Sequence, residues 1–177
     1  SIAAPFNYRI EQHILNSNGI INYNAFQFDM VRLGIGLYGL CSDTKVQKQL
    51  KSASTLKSKI AQIKIVKKNE SIGYNRNGLA KNDLKIATIP VGYADGLNRG
   101  LGNGSWNMVI NGHKAPIIGN ICMDMVMLDV TGIDCKEGDD AFIFSDLNPI
   151  SEMAKKLGTI PYEILTSYSP RVKRVFL

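Results

Sequence analysis

The stretch Trp106-Asn107-Met108-Val109-Ile110-Asn111-Gly112-His113-Lys114-Ala115-Pro116-Ile117-Ile118 decides the fold. Two segments of strand length flank Asn111-Gly112, the dipeptide that two-residue hairpin loops favour because both of its positions accept a positive φ angle. The stretch therefore predicts two antiparallel strands, Trp106–Ile110 and His113–Ile118, joined by a tight turn.

Further strand patterns lie on both sides of this hairpin. Alternation of apolar and polar residues begins at Leu56 and runs through Ile65, as in half-buried strands. Three more strands are predicted at Leu84–Val91, Ile121–Val130 and Ala141–Phe144. We therefore predict that residues 56–148 form an all-β region, with a barrel-like or strongly curled sheet.

Two helices and a last strand are predicted after the sheet. Ser151–Leu157 has the pattern of a short helix that ends at Gly158. Thr159 is a capping residue for a second helix that has Pro161 in its first turn. Pro170–Phe176 alternates apolar and basic residues and predicts a strand. The β domain as a whole is then predicted to cover residues 56–177.

Residues 1–40 have a different pattern. Ile14-Leu15 and Phe28–Leu40 are apolar segments that stop at loops rich in Gly, Asn and Ser, which is typical of buried parallel strands. Two such strands cannot form a domain alone, so we expect residues 1–40 to be the end of a larger one. The polar residues 41–55 are predicted to connect it to the β domain.

The composition favours a globular cytoplasmic protein that binds neither nucleic acid nor membrane. The net charge is +6 over 177 residues, but the lysines are dispersed and lack the interleaved aromatic residues of a single-strand binding groove. No apolar run approaches the ~20 residues of a membrane span, and Ser1–Tyr8 does not resemble a signal peptide. The three cysteines lack paired metal spacing and are expected to be reduced, with no metal bound.

Three segments place polar groups at strand ends or turns, as one wall of an active site would. They are Ser71–Arg76, which contains Tyr74, the turn Tyr93-Ala94-Asp95-Gly96, and Ile121-Cys122-Met123-Asp124. A phenol is a poor base at neutral pH unless its site favours the phenolate, so Tyr74 is either a tuned base or a packing residue. Asp124 interrupts an apolar segment, where it either caps a loop or binds a substrate group.

The first segment of the chain contains a candidate anion site. Gly34 and Ile35 offer backbone N–H groups at a strand end, and Ser17 adds a hydroxyl. The alternative is that these residues only form turns. Arg32 is either a structural arginine or a donor to a ring nitrogen of a cofactor, and His13 is by itself a core or surface residue.

Taken together and in order, these motifs closely resemble the alanine racemases, pyridoxal-phosphate enzymes of bacterial cell-wall synthesis. The resemblance runs from His13 to the C-terminus. The segments that carry it are His13–Ser17, Asp29–Ile35, Leu37–Leu40, Gly73-Tyr74, Ala87–Gly96, Ala115–Gly119, Ile121–Asp124, Gly158–Ile164 and Pro170–Val172.

The resemblance implies a fold that is mainly β in this chain. The family has an eight-stranded α/β barrel of the TIM type, which holds the cofactor, followed by a β-barrel-like domain. Residues 1–40 would then be the last strands of a truncated barrel. The implied phosphate-binding residues are Ser17, Gly34, Ile35 and Tyr162, with Asn16 beside them. Arg32 would donate to the pyridine nitrogen of the cofactor, and His13 would support Arg32. Tyr74 would be one of two catalytic bases, and Tyr93, Met123 and Asp124 would contact the substrate or line its entrance.

The implied reaction interconverts L-alanine and D-alanine for peptidoglycan synthesis. In the family, a lysine and a tyrosine act on opposite faces of the substrate, and the tyrosine comes from the partner subunit of a homodimer. Two departures stand out: most of the barrel with its cofactor-binding lysine is absent, and Asn120 stands where many members have Arg. We therefore expect the isolated chain to be inactive.

Two other functions remain open at this point. One is a broad-specificity amino-acid racemase of the same fold, which a wider entrance near Met123 and Asn120 would favour. The other is a non-catalytic β-domain module that only dimerises.

Overall fold

The computed structural model describes residues 5–176, so residues 1–4 and Leu177 lie outside the described part of the chain. The chain divides into two compact units, residues 1–54 and 55–177. No helix among residues 5–176 has the length and apolar character needed to cross a membrane.

The larger unit is built on one antiparallel sheet of seven strands. Its strands are β1 Leu56–Lys59, β2 Gln62–Val66, β5 Leu84–Ile89, β6 Asn107–Ile110, β7 His113–Ile118, β8 Val126–Asp129 and β9 Asp140–Phe144. Their order across the sheet is β1-β9-β6-β7-β8-β5-β2. A separate hairpin pairs β3 Ser71–Ile72 with β4 Gly78–Leu79. The chain in this unit is therefore mainly β, as predicted.

The connection between β1 and β2 requires the sheet to curl. These strands lie at opposite edges of the sheet but are joined only by Ile60 and Ala61. Three Cα steps span at most about 11 Å, whereas a flat sheet of this size is roughly 29 Å wide. Ile60 N–H donates to Asp139 O next to β9, and Ala61 N–H donates to Thr88 O in β5, both at 2.9 Å. The predicted barrel-like curl is confirmed.

The hairpin predicted from Asn111-Gly112 is confirmed. Ile110 pairs with His113 across a two-residue loop, and both loop residues have positive φ angles, 48° for Asn111 and 80° for Gly112. Apolar side chains of the strands form the core of the unit. Those that are almost fully buried include Ile86, Ile89, Met108, Ile110, Ile117, Leu128 and Ile143.

Two helices follow the sheet, but the predicted last strand is wrong. Helix α3 covers Ile150–Leu157 and ends at Gly158, which has a left-handed conformation. Helix α4 covers Pro161–Ser167 with Pro at its first position, and Ile160, not Thr159, is its N-cap. Residues 170–176 contain a turn and no strand.

In the smaller unit the two apolar segments do run in parallel, but they are not buried strands. Among the described residues of this unit, the pairing is limited to one isolated bridge, between His13 and Met30. Helix α1, Ser17–Asn22, begins directly after the first segment, and Ile35–Tyr38 forms a single 3₁₀ turn where the long strand was expected. Several apolar side chains of these segments are exposed, among them Ile14, Met30, Leu33 and Leu37. The connector contains helix α2, Thr44–Gln47.

Candidate functional site

Two loops that contain predicted site residues lie at the same end of the neighbouring strands β5, β8 and β7. The register pairs Ile89 with Val126 and Ile118 with Met127. The end of β5, the end of β7 and the start of β8 therefore lie side by side. The segment Ile121–Met125, predicted as strand, is instead a turn in which Cys122 N–H donates to Met125 O at 3.0 Å. It faces the turn that contains Tyr93.

The backbones of these two turns are in direct contact. Tyr93 N–H donates to Cys122 O and Ala94 N–H donates to Met123 O, both at 3.0 Å. Gly92 makes this approach possible, because a Cβ atom at this position would lie 2.2 Å from the carbonyl oxygen of Met123. The side chains of Tyr93 and Met123 both remain about half exposed on this surface.

Arg171 connects the same two turns through their carboxylates. Its Nη2 lies 2.8 Å from Asp124 Oδ1 and its Nε lies 3.3 Å from Asp95 Oδ1. Asp95 is nearly buried, and its other oxygen accepts the Gly92 N–H at 2.9 Å. The hydrogen bond to Asp124, with the charge of Asp95, raises the pKa of Arg171. Asp124 therefore has a cation as its partner and lies in an exposed turn, not within an apolar strand.

Tyr74 lies in a strained loop between β3 and β4. Gly73, Asn75 and Arg76 all have positive φ angles, of 77°, 60° and 55°. The carbonyl oxygen of Tyr74 accepts a hydrogen bond from Asn120 Nδ2 at 3.2 Å. The tyrosine side chain is 74% exposed, so its phenol is open to a molecule approaching this surface.

In the smaller unit, Ser17 organises the candidate anion site. Ser17 is buried, and its hydroxyl oxygen accepts N–H groups from Gly34 at 3.0 Å and Gly36 at 3.3 Å. Asn16 caps helix α1, because its side chain accepts the Gly19 N–H. Ile35 is buried in the turn that follows Gly34. The structure thus brings Asn16, Ser17, Gly34 and Ile35 into one cluster.

Arg32 and His13 are both exposed. Arg32 Nη2 donates to the carbonyl oxygen of Ile14 at 2.9 Å, which fixes the guanidinium. Tyr162 is in the other unit, in the first turn of α4, and is about 41% exposed.

Comparison with known proteins assigns the chain to a family. A family model described as alanine racemase, C-terminal domain, matches residues 53–176. The chain belongs to the alanine racemase family. Alanine racemase 2 of Caldanaerobacter subterraneus subsp. tengcongensis is 43% identical over 173 residues, which cover 94% of this chain and 44% of that protein.

Solved structures of alanine racemases have the same fold. The Clostridium difficile 630 enzyme in complex with cycloserine superposes with a TM-score of 0.88 at 36% identity, over 97% of this chain and 47% of that one. The Bartonella henselae enzyme with covalently bound pyridoxal phosphate gives 0.85 at 34% identity, over 96% and 48%. This chain spans about half the length of the racemases it matches.

The residues of the smaller unit fit the phosphate and ring of pyridoxal phosphate. Ser17 Oγ accepts two backbone N–H groups, and a hydroxyl also carries one proton that can be donated to a phosphate oxygen. Arg32 uses one donor on Ile14 and has others on its guanidinium. A neutral hydroxyl donor suits a phosphate oxygen, and an arginine suits a ring nitrogen.

No local sequence pattern predicts two features of this surface. Arg171 is 47 residues from Asp124, and nothing local pairs them. The hydrogen bond from Asn120 to the Tyr74 loop depends on the end of β7 approaching the β3–β4 hairpin. A cation near the C-terminus and two acidic turn residues were visible, and only the three-dimensional fold brings them together.

Proposed function

We propose that this chain is the C-terminal half of a pyridoxal-phosphate-dependent alanine racemase that interconverts L-alanine and D-alanine. The observation that carries the proposal is the exposed Tyr74 phenol. Its loop is hydrogen-bonded to Asn120, a residue three positions before Met123. The chain matches an alanine racemase along 94% of its length. An exposed tyrosine on a fixed, strained loop is suited to act on a bound molecule.

Tyr74 serves as one of the two bases of the reaction. Racemisation removes the α-proton from one face of alanine and returns a proton to the other face, so it needs a group on each side. Pyridoxal phosphate, when bound, supplies the electron sink that makes this α-proton acidic. The Tyr74 phenol oxygen takes the proton in one direction of the reaction and donates it in the other.

The smaller unit contributes the cofactor-binding residues of this chain. Ser17 and the backbone of Gly34 and Ile35 bind the phosphate, and Asn16 fixes the adjacent helix start. Tyr162, which belongs to the larger unit, is a further phosphate ligand in this proposal. Arg32 donates to the pyridine nitrogen, and His13 supports it from the neighbouring segment. An arginine leaves that nitrogen unprotonated, which makes the ring a weaker electron sink.

The joined turns of the larger unit form the substrate entrance. Tyr93 and Met123 present half-exposed side chains there. Asp124 is paired with Arg171, so we assign its contact with the substrate carboxylate to the backbone of its turn, whose N–H groups are suited to an anion.

The tyrosine and the lysine of one complete site come from different subunits of a homodimer. D-alanine made by the complete enzyme supplies peptidoglycan synthesis in the cytoplasm. This arrangement agrees with the exposure of Tyr74 on the surface of its own unit.

The test compares the full-length subunit with the 177-residue chain, both with pyridoxal phosphate and L-alanine. We expect the full-length enzyme to form D-alanine, its Tyr74→Phe variant to lose about 10²- to 10⁴-fold in kcat, and Tyr8→Phe to change nothing. The isolated chain should not racemise alanine, because the lysine base is missing. An inactive full-length enzyme, or an active isolated chain, would overturn the proposal.

A further inference from the structure

The Tyr74 loop depends on contacts from outside its own hairpin. It covers residues 73–77, between the paired residues Ile72 and Gly78. Asn75 and Arg76 hold left-handed conformations, which Asn tolerates but Arg rarely adopts. The internal hydrogen bond from Arg76 N–H to Gly73 O is long, at 3.3 Å. A loop of this kind keeps one conformation only when its surroundings impose it.

Asn120 provides such a contact in a defined orientation. Its side chain is half-buried, and Nδ2 donates to the Tyr74 carbonyl oxygen at 3.2 Å. A carbonyl only accepts, so this bond determines which atom of the amide is the nitrogen. The amide oxygen then points away from the loop, where it accepts a hydrogen bond from Asn103 Nδ2 at 3.0 Å.

Asn103 is in turn fixed by its backbone. It has a left-handed conformation, with φ of 53°, and its N–H donates to Gly119 O at 2.9 Å. The result is a chain of two amides that runs from the end of β7 to the backbone of Tyr74. An amide side chain at position 120 can both donate to the Tyr74 carbonyl and accept from Asn103, because it carries a donor and an acceptor group.

We propose that Asn120 is a positioning residue for the Tyr74 base, and that Asn103 orients it. This inference rests on the proposed racemase function. Asn120 acts through the Tyr74 carbonyl oxygen and keeps the loop in the conformation that presents the phenol.

Three variants of the full-length enzyme separate the contacts. Asn120→Asp still accepts from Asn103 but cannot donate to Tyr74, and it should lower kcat by roughly ten- to a hundredfold. Asn120→Ala should have a similar effect. Asn103→Ala leaves the direct bond in place and should cost less than about threefold. Asn111→Ala is the matched control. The Asn111 amide also donates to a backbone carbonyl of a neighbouring loop, that of Asp134, but it lies in the β6–β7 turn and not at the Tyr74 loop.

Isotope effects distinguish positioning from a general structural role. The two enantiomers are equally stable, so kcat/KM must fall equally in both directions and cannot reveal which base is affected. With α-deuterated alanine, a misplaced Tyr74 should raise the isotope effect in the direction in which it removes the deuteron and lower it in the other. A structural role would leave both isotope effects at their wild-type values.

Hydrogen exchange of the 177-residue chain tests the contact without catalysis. Asn120→Ala should speed exchange of the Arg76 amide, and Asn111→Ala should not. The inference is overturned if Asn120→Ala leaves exchange of the Arg76 amide unchanged. It is also overturned if the wild-type enzyme is active and the Asn120 variants have its isotope effects and a kcat within twofold of its own. If the full-length wild type does not racemise alanine, the proposed function is overturned, and with it the role of Asn120 in positioning a base. The exchange result still decides whether Asn120 fixes the loop.

Discussion

At the scale of single residues, one cation connects the carboxylates of two turns. Arg171 lies 2.8 Å from Asp124 and 3.3 Å from Asp95. The environment of Asp124 was predicted wrongly, because alternation cannot show that Arg171 reaches it at 2.8 Å. Long-range ion pairs depend on which loops meet, and a local pattern contains no information about that.

Arg171 provides a prediction at this scale. In Arg171→Ala, the carboxylates of Asp95 and Asp124 lose their shared cation, and we expect the two turns to separate enough to lower kcat/KM for alanine about tenfold. Lysine at this position keeps the charge but lacks the planar fork that reaches both carboxylates, so Arg171→Lys should be intermediate.

Steady-state kinetics of the full-length enzyme would measure this effect. Lys67→Ala is the control, since it removes another exposed ion pair, with Asp83, on the same unit. If Arg171→Ala changes kcat/KM no more than Lys67→Ala does, the bridge does not position the turns.

At the scale of elements, predictions succeeded where the signal was local. The hairpin at Asn111-Gly112 follows from turn geometry and was confirmed with its register. The strand predicted for Ile121–Val130 begins only at Val126, because the carbonyls of Cys122 and Met123 accept N–H groups from the Tyr93 turn. Residues 170–176 alternate like a strand, yet Val172 N–H donates to Ser169 O in a turn. Tertiary contacts overrode periodicity in both places.

Two glycines at turns predict different consequences of the same substitution. Gly112 has a φ angle of 80° and open space around it, so Gly112→Ala should cost about 1–2 kcal/mol of unfolding free energy from backbone strain alone. Gly92 has ordinary extended angles, but a methyl group there would collide with the carbonyls of Cys122 and Met123. Gly92→Ala should therefore cost about 3 kcal/mol or more and also impair catalysis.

Denaturant unfolding and alanine kinetics of both variants would check this pair. Equal losses of stability, or normal activity in Gly92→Ala, would contradict the view that close approach of the two turns forms the substrate entrance.

At the scale of the whole molecule, the sequence predicted a curled β domain and an unusual N-terminal segment. The strand order could not be predicted, because nothing local shows that β1 and β2 occupy opposite edges of one sheet. The apolar segments of residues 1–40 resembled buried strands, but in this chain many of their side chains are exposed. The chain spans about half the length of the racemases it matches.

The central claim is that Tyr74 completes a site whose lysine belongs to the partner subunit. Two full-length variants, Tyr74→Phe and an alanine variant of the cofactor-binding lysine, should each be nearly inactive as homodimers. Coexpressed with different affinity tags, they form heterodimers in which one site has both a wild-type tyrosine and a wild-type lysine.

The most direct measurement is the racemisation rate of these purified heterodimers. We expect about half of the wild-type rate per dimer, since one of two equivalent sites is restored. A heterodimer no more active than either parent homodimer would contradict it, because it would mean that both bases come from one chain or that Tyr74 is not a base.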